Sequence, residues 1–171
     1  AAIRLMSSAP APSSRIGSTD VPCIVQMQQM LRGKTDVLSL AQGIVHWPPP
    51  AAALDAARDA VGLPQTNAYC ADDGLPELRD ALKARLAAEK GLVASEVMVT
   101  AGANQGYTNL VLSLLDAGDA AVLFRPYYFN HLMALQMTGS EIVTPASTPD
   151  LQPDLAALEA EIAARAADGR R

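Results

Sequence analysis

The stretch from Val97 to His131 constrains the fold of this chain more than any other. Val97-Met98-Val99-Thr100 is a short apolar run that reads as a buried strand. Gly102 follows, where the chain can turn without a Cβ in the way. Asn104 then stands where a helix is capped, with Tyr107, Leu110, Val111, Leu114 and Leu115 as the apolar stripe of that helix. Strand, glycine turn and helix start together make an anion site, because unpaired backbone N–H groups and the positive helix end converge on one point. A second apolar run, Ala121 to Phe124, leads into Arg125-Pro126-Tyr127-Tyr128-Phe129-Asn130-His131. The expectation is an anion pocket beside an aromatic platform.

The flanking sequence supplies the rest of an α/β pattern. Ser18 or Thr19 opens a helix through Leu31, with Ile24, Met27, Met30 and Leu31 on one side and Gly33 at its end. Val37 to Leu40 reads as a short strand, and Trp47-Pro48-Pro49-Pro50 as an extended rim segment, because three prolines exclude helix and sheet interior. Further helices are expected over Ala51 to Val61 and from Pro76 to about Lys90, the second stopping at Gly91. Its charged residues Glu77, Arg79, Asp80, Lys83 and Arg85 read as a solvated face. Beyond the central stretch come a helix near Leu132 to Thr138, a strand near Ile142 to Thr144 and an alanine-rich helix from about Asp154 to Ala167. Apolar strands alternating with helices predict a mostly parallel sheet covered on both faces.

Composition narrows the function classes. A chain of 171 residues is one domain's worth, long enough to bury a core. Its net charge of −5 argues against a nucleic-acid footprint, which needs clustered lysine and arginine. No apolar run reaches the length of a membrane span. Cys23 and Cys70 fit no metal spacing, so no metal site is expected and a reduced compartment is the default. Residues 1–18 carry Ser, Pro, Ala and Arg but no acidic residue, which reads as a disordered leader or a targeting remnant. The expected location is the cytoplasm, with the plastid as the alternative.

Three ordered segments resemble the class I/II aminotransferases, the fold-type I enzymes dependent on pyridoxal 5′-phosphate. They are Leu38-Ser39-Leu40-Ala41-Gln42-Gly43 with the prolines after it, Tyr69 through Asp72-Asp73-Gly74-Leu75-Pro76-Glu77-Leu78-Arg79, and Val99-Thr100-Ala101-Gly102-Ala103-Asn104-Gln105 with Pro126 to His131 downstream. The segments around residues 41–50 and 125–131 look closest to plant and algal aromatic or methionine aminotransferases. The resemblance covers nearly all of residues 19–165 but only the N-terminal half or less of a typical member. It implies α/β architecture: residues 19–50 as an arm and substrate-side segment, and residues 51–171 as an incomplete cofactor-binding large domain.

The same resemblance implies roles. Ala103 and Asn104 match the position whose backbone N–H groups hold the cofactor phosphate, and Tyr128 matches the aromatic ring stacked on the pyridine. His131 matches a histidine that orients the aspartate under the pyridine nitrogen. Tyr69 matches a tyrosine reaching the phosphate of the neighbouring subunit, which implies a homodimer. Gly43 matches a backbone N–H that meets the substrate carboxylate, with Trp47 or His46 lining the side-chain pocket. Each residue also has a plain structural reading: Tyr127 and Tyr128 as packing, His131 as a helix-start histidine, Asn104 as a cap, Gly43 as a turn and Tyr69 as a plug at the core edge.

The Schiff-base lysine that such chemistry needs is not matched. Lys34 follows a helix end, and Lys83 and Lys90 belong to an exposed helix. Three readings follow. The first is a truncated part of a transaminase acting on an amino acid and a 2-oxo acid, inactive alone. The second is a non-catalytic phosphate-ligand-binding or regulatory partner of a full-length subunit. The third, another α/β nucleotide-binding domain, lacks support, because Gly102-Ala103-Asn104-Gln105-Gly106 is not the dinucleotide fingerprint and no Walker lysine follows. A parallel sheet short of strands leaves an open edge, so the isolated chain should be marginally stable and prone to associate. Light scattering during a thermal melt checks this; monomeric, cooperative unfolding at high temperature is the contrary result.

Overall fold

The computed structural model describes residues 11–169. In chain order its elements are α1 (Ser14–Gly17), α2 (Cys23–Leu31), α3 (Ala51–Val61), a 3₁₀ turn (Pro64–Asn67), α4 (Pro76–Lys90), α5 (Ala103–Leu114), β1 (Ala120–Val122), α6 (Phe129–Thr138), β2 (Glu141–Val143) and α7 (Leu155–Ala167). The chain divides into two compact units, one formed by residues up to Asp36 together with Ala103 onward, the other by Val37–Gly102.

The first unit is built on a parallel pair. β1 and β2 run side by side in the register Ala120–Glu141, Ala121–Ile142 and Val122–Val143. Leu123 N–H donates to Val143 O and continues the ladder past β1. The connection between the strands is α6, as a parallel pairing requires. α6 packs on β2 and also on α5. The buried apolar side chains of the described residues, Val111 of α5, Ala134 and Leu135 of α6 and Val143 of β2, all belong to this unit. α6 ends at Gly139, whose φ of +77° gives the left-handed cap that a side chain disfavours. Asp154 caps α7 by accepting from the Ala157 N–H at 3.0 Å. Near its end the buried Arg165 bonds Glu161 on its own helix and Glu141 at the start of β2, which fastens an alanine-rich helix that has little bulk to pack.

The segment expected as a leader is partly structured. Residues 1–10 lie outside the described residues, but Ser14–Gly17 form a helical turn that packs on α6. Asp20 and Gln136 bond reciprocally, through Asp20 N–H to Gln136 Oε1 and Gln136 Nε2 to Asp20 Oδ2. The helix expected from Ser18 or Thr19 begins instead at Cys23, because Ser18 and Thr19 turn their hydroxyls back on Arg15 O and Ile16 O and close α1.

In the second unit the expected helices Ala51–Val61 and Pro76–Lys90 appear with those bounds, and Gly91 at φ +68° closes α4. The two expected strands do not. Val37 to Leu40 is irregular, with Leu38 and Leu40 almost wholly exposed, and Val97 to Thr100 lies outside any ladder. A strand needs a ladder of paired backbone, and neither run belongs to the sheet of the described residues, which holds β1 and β2.

What holds Val97 to Thr100 is the turn before α4. Val99 N–H donates to Asp73 O at 2.9 Å. Arg79 pairs with the Asp73 carboxylate, and its Nε donates to Val97 O at 2.8 Å. Glu96 accepts from Lys83 Nζ at 2.6 Å and from Arg79 Nη2 at 3.3 Å. Arg79 and Lys83, expected on a merely solvated face, are therefore the pins of this unit. Gly74 has φ +110°, and a Cβ there would stand 2.6 Å from Val99 Cγ2.

Gly74→Ala thus combines a left-handed alanine with a steric clash, about 2 kcal/mol or more of local destabilisation. Amide exchange at Val99 should quicken by about thirty-fold, since 1.4 kcal/mol is a factor of ten. The ionic pins carry a pH signature. The Lys83 hydrogen bond, and then the Lys83 charge, hold the Glu96 carboxyl below its ordinary value. A lowered folded-state value stabilises the unit above the unfolded carboxylate pKa and loses that contribution as pH falls through the folded one. Glu96→Gln should flatten the acid limb of Val99 protection, and high salt should mimic it because Glu96 is largely exposed.

Candidate functional site

The residues expected to hold a cofactor separate between the units. In the first unit, α5 begins at Ala103, one residue before Asn104. Asn104 therefore sits inside the first helical turn rather than capping it, since the preceding glycine already makes the turn. Ala103 and Asn104 are both exposed. The first turn of a helix carries amides that find no acceptor within the helix itself, and here that turn begins on two exposed residues. In the second unit Gly102 has φ +82°, with open space where its Cβ would be.

Tyr128 stands immediately before α6 in extended conformation, and its carbonyl accepts from the His131 N–H at 3.0 Å. Its ring makes edge contacts with Phe129 (centroids 4.9 Å) and His131 (5.3 Å, 86° between planes). Its hydroxyl accepts from Asn130 Nδ2 at 2.8 Å. The ring is nonetheless half exposed, at 49 %. Propped at its edges and open elsewhere, it is suited to stacking against a planar ligand.

Sequence reasoning assigned Tyr107 only to the apolar stripe of α5. The structure gives it a second position: its ring lies flat on the His131 imidazole, 3.9 Å between centroids and 22° between planes. Partial burial raises its phenol pKa above the ordinary 10, because the charged phenolate is the form that suffers from lost water. The stripe itself is narrower than expected. Tyr107, Val111 and Leu115 are covered to different degrees, whereas Leu110 and Leu114 are 59 % and 63 % exposed. The i, i+4, i+8 spacing of Tyr107, Val111 and Leu115 contained this signal, and the leucines between them obscured it.

The other expected residues belong to the second unit. Tyr69 is fully exposed there, without a cover or ring partner among the described residues of the unit. Gly43 follows a bend at Ala41 and Gln42, and the Gln42 carbonyl accepts from the Ile44 N–H. His46 and Trp47 meet edge to face at 5.1 Å, and Trp47 is 63 % exposed. Of the lysines, Lys83 is engaged by Glu96, Lys90 ends α4, and Lys34 follows α2. No group of residues suited to a metal ion occurs among the described residues. Nor is any helix among them long and apolar enough to cross a membrane.

A profile described as Aminotransferase class I and II matches residues 35–170. The chain belongs to the class I and II aminotransferases. It is 49 % identical over 149 residues to the aromatic aminotransferase ISS1 of Arabidopsis thaliana, a match covering 86 % of this chain and 38 % of that protein. It is 30 % identical over 124 residues to the aspartate/prephenate aminotransferase of Thermus thermophilus, covering 71 % and 32 %. Among solved structures it is similar to an aspartate aminotransferase from Thermus thermophilus with maleate, at a TM-score of 0.77 and 26 % identity over 89 % of this chain and 42 % of that one. The chain thus spans well under half the length of the aminotransferases it matches, and it answers to the N-terminal part of their α/β fold.

Class I and II aminotransferases depend on pyridoxal 5′-phosphate. The residues present fit the non-covalent demands of that group. An exposed helix start offers donors to a phosphate, and a half-exposed phenol braced at its edges offers a face to a ring.

Proposed function

We propose that the chain forms the phosphate- and ring-binding part of a pyridoxal-phosphate-dependent transaminase that moves an amino group from an aromatic amino acid or methionine to a 2-oxo acid. The observation that carries this reading is the exposed start of α5 at Ala103, on the helix whose Tyr107 bears on the His131–Tyr128 cluster. The aromatic donor is supported by the 49 % identity to a protein named as an aromatic aminotransferase.

When bound, the cofactor supplies an electron sink and a carrier for the amino group. The chain's own residues do the holding. Backbone N–H groups at Ala103 and Asn104 bind the phosphate, where the helix dipole adds to the hydrogen bonds. The Tyr128 ring covers one face of the pyridine and keeps water from it, and His131 orients the acidic partner of the ring nitrogen. Gly43 offers its N–H to the substrate carboxylate, while Trp47 lines the side-chain pocket. Tyr69, uncovered in its own unit, reaches the phosphate held by a second subunit of a homodimer. Turnover requires a lysine outside this set, so this chain alone is inactive.

Proline at the first position of a helix removes one N–H donor without breaking the helix. Ala103→Pro should therefore weaken pyridoxal phosphate binding by about tenfold to a hundredfold, the worth of one hydrogen bond to a charged group. Circular dichroism should show α5 retained. Titration followed by cofactor fluorescence, with inorganic phosphate as competitor, measures the loss. Borohydride treatment of the mixture should leave no pyridoxyl-lysine at a unique site. Equal affinity in the variant, or a unique adduct accompanied by transamination, contradicts the proposal.

A further inference from the structure

We infer that Tyr107 is a positioning residue that fixes the plane of the His131 imidazole through its ring face; the inference deepens the functional reading above and rests on it for its consequence.

His131 is half-buried in the first turn of α6. Its backbone is tied by the N–H bond to Tyr128 O, but no hydrogen bond reaches either ring nitrogen among the described residues. Two aromatic rings pack on the imidazole. Tyr107 lies parallel to it at 3.9 Å, and Tyr128 meets it nearly at right angles at 5.3 Å. A flat neighbour sets the plane of the ring, and a perpendicular one resists its rotation within the space that remains. Both contacts act on the carbon and π surfaces, so the in-plane lone pair and N–H stay available to a ligand or an acidic partner. The Tyr107 hydroxyl makes no hydrogen bond among the described residues either, so the aromatic face is its contribution.

Tyr107 suits this task because it projects from α5 onto a ring of α6. It lies one helical turn before the buried Val111, on the side of α5 that packs against α6. The buried seam between α5 and α6 thereby lends its rigidity to the imidazole. A leucine at position 107 would keep apolar contact with α6 but present no flat surface, whereas phenylalanine would keep the surface.

The test compares the whole chain with Tyr107→Phe and Tyr107→Leu by carbon-resolved proton NMR of the histidine rings. Only His131 and His46 contribute, and His46, in the other unit, is an internal reference. The His131 ring protons should be shifted upfield in the parent chain and in Tyr107→Phe, and move to the position of a freely rotating histidine in Tyr107→Leu. The addition of pyridoxal phosphate should perturb the His131 signals in the first two proteins and leave them unmoved in the third. If Tyr107→Leu does not fold, Tyr107→Met, which keeps unbranched apolar bulk without a flat face, serves in its place.

Identical His131 signals in all the proteins overturn the inference. If cofactor binds the parent chain while His131 is indifferent to residue 107, the functional reading survives and the positioning role falls. If residue 107 controls His131 but cofactor disturbs nothing in the parent chain, the positioning role survives and the functional reading falls.

Discussion

The first unit depends on the contact between α5 and α6. Val111 on one helix and Ala134 and Leu135 on the other are the best-buried apolar groups of the described residues, with Val143 of β2 beneath them. Burying a side chain of this size contributes about 1.5–3 kcal/mol, and here a few such groups do most of that work. Everything with chemical interest in the unit is arranged around this seam. The start of α5, the Tyr107–His131 stack and the Tyr128 ring all take their positions from two helices locked near their middles.

The second unit is held differently. It has no fully buried apolar side chain among the described residues. Its order comes from directional contacts: Arg79 to Asp73 and Val97 O, Lys83 to Glu96, Val99 N–H to Asp73 O, and the close approach of Gly74 to Val99. Hydrogen bonds and partly exposed ion pairs fix geometry more effectively than they add stability. The unit is thus specified in shape while leaving much apolar surface, including Leu38, Leu40 and Tyr69, in contact with water.

How much of this could be read from the sequence follows the range of the forces involved. Helices with local punctuation were legible: proline at the start and glycine at the end bounded α4, and glycine after valine bounded α3. The parallel pairing near residues 120–143 was legible because its connection is short and regular. Val37 to Leu40 and Val97 to Thr100 were misread as strands because apolarity describes a strand's preference, while a ladder also needs a partner. Arg79 looked like surface because its acceptors, Asp73 and Val97 O, are supplied by the fold. At the site, the start of α5 followed from the glycine turn and the apolar residues after it, and Tyr128 and His131 were singled out by motif resemblance, whereas the Tyr107 stack depends on the packing of two helices.

The reciprocal bonds between Asp20 and Gln136 have a consequence for synthesis. The two residues are separated by 116 positions, and every contact of α1 with α6 is similarly remote in sequence. At about 5–20 residues per second, a ribosome adds Gln136 roughly 6 to 23 seconds after Asp20. Throughout that interval Asp20 lacks the side chain it bonds. The attachment of α1 to α6 therefore waits on translation rather than on the strength of the contact.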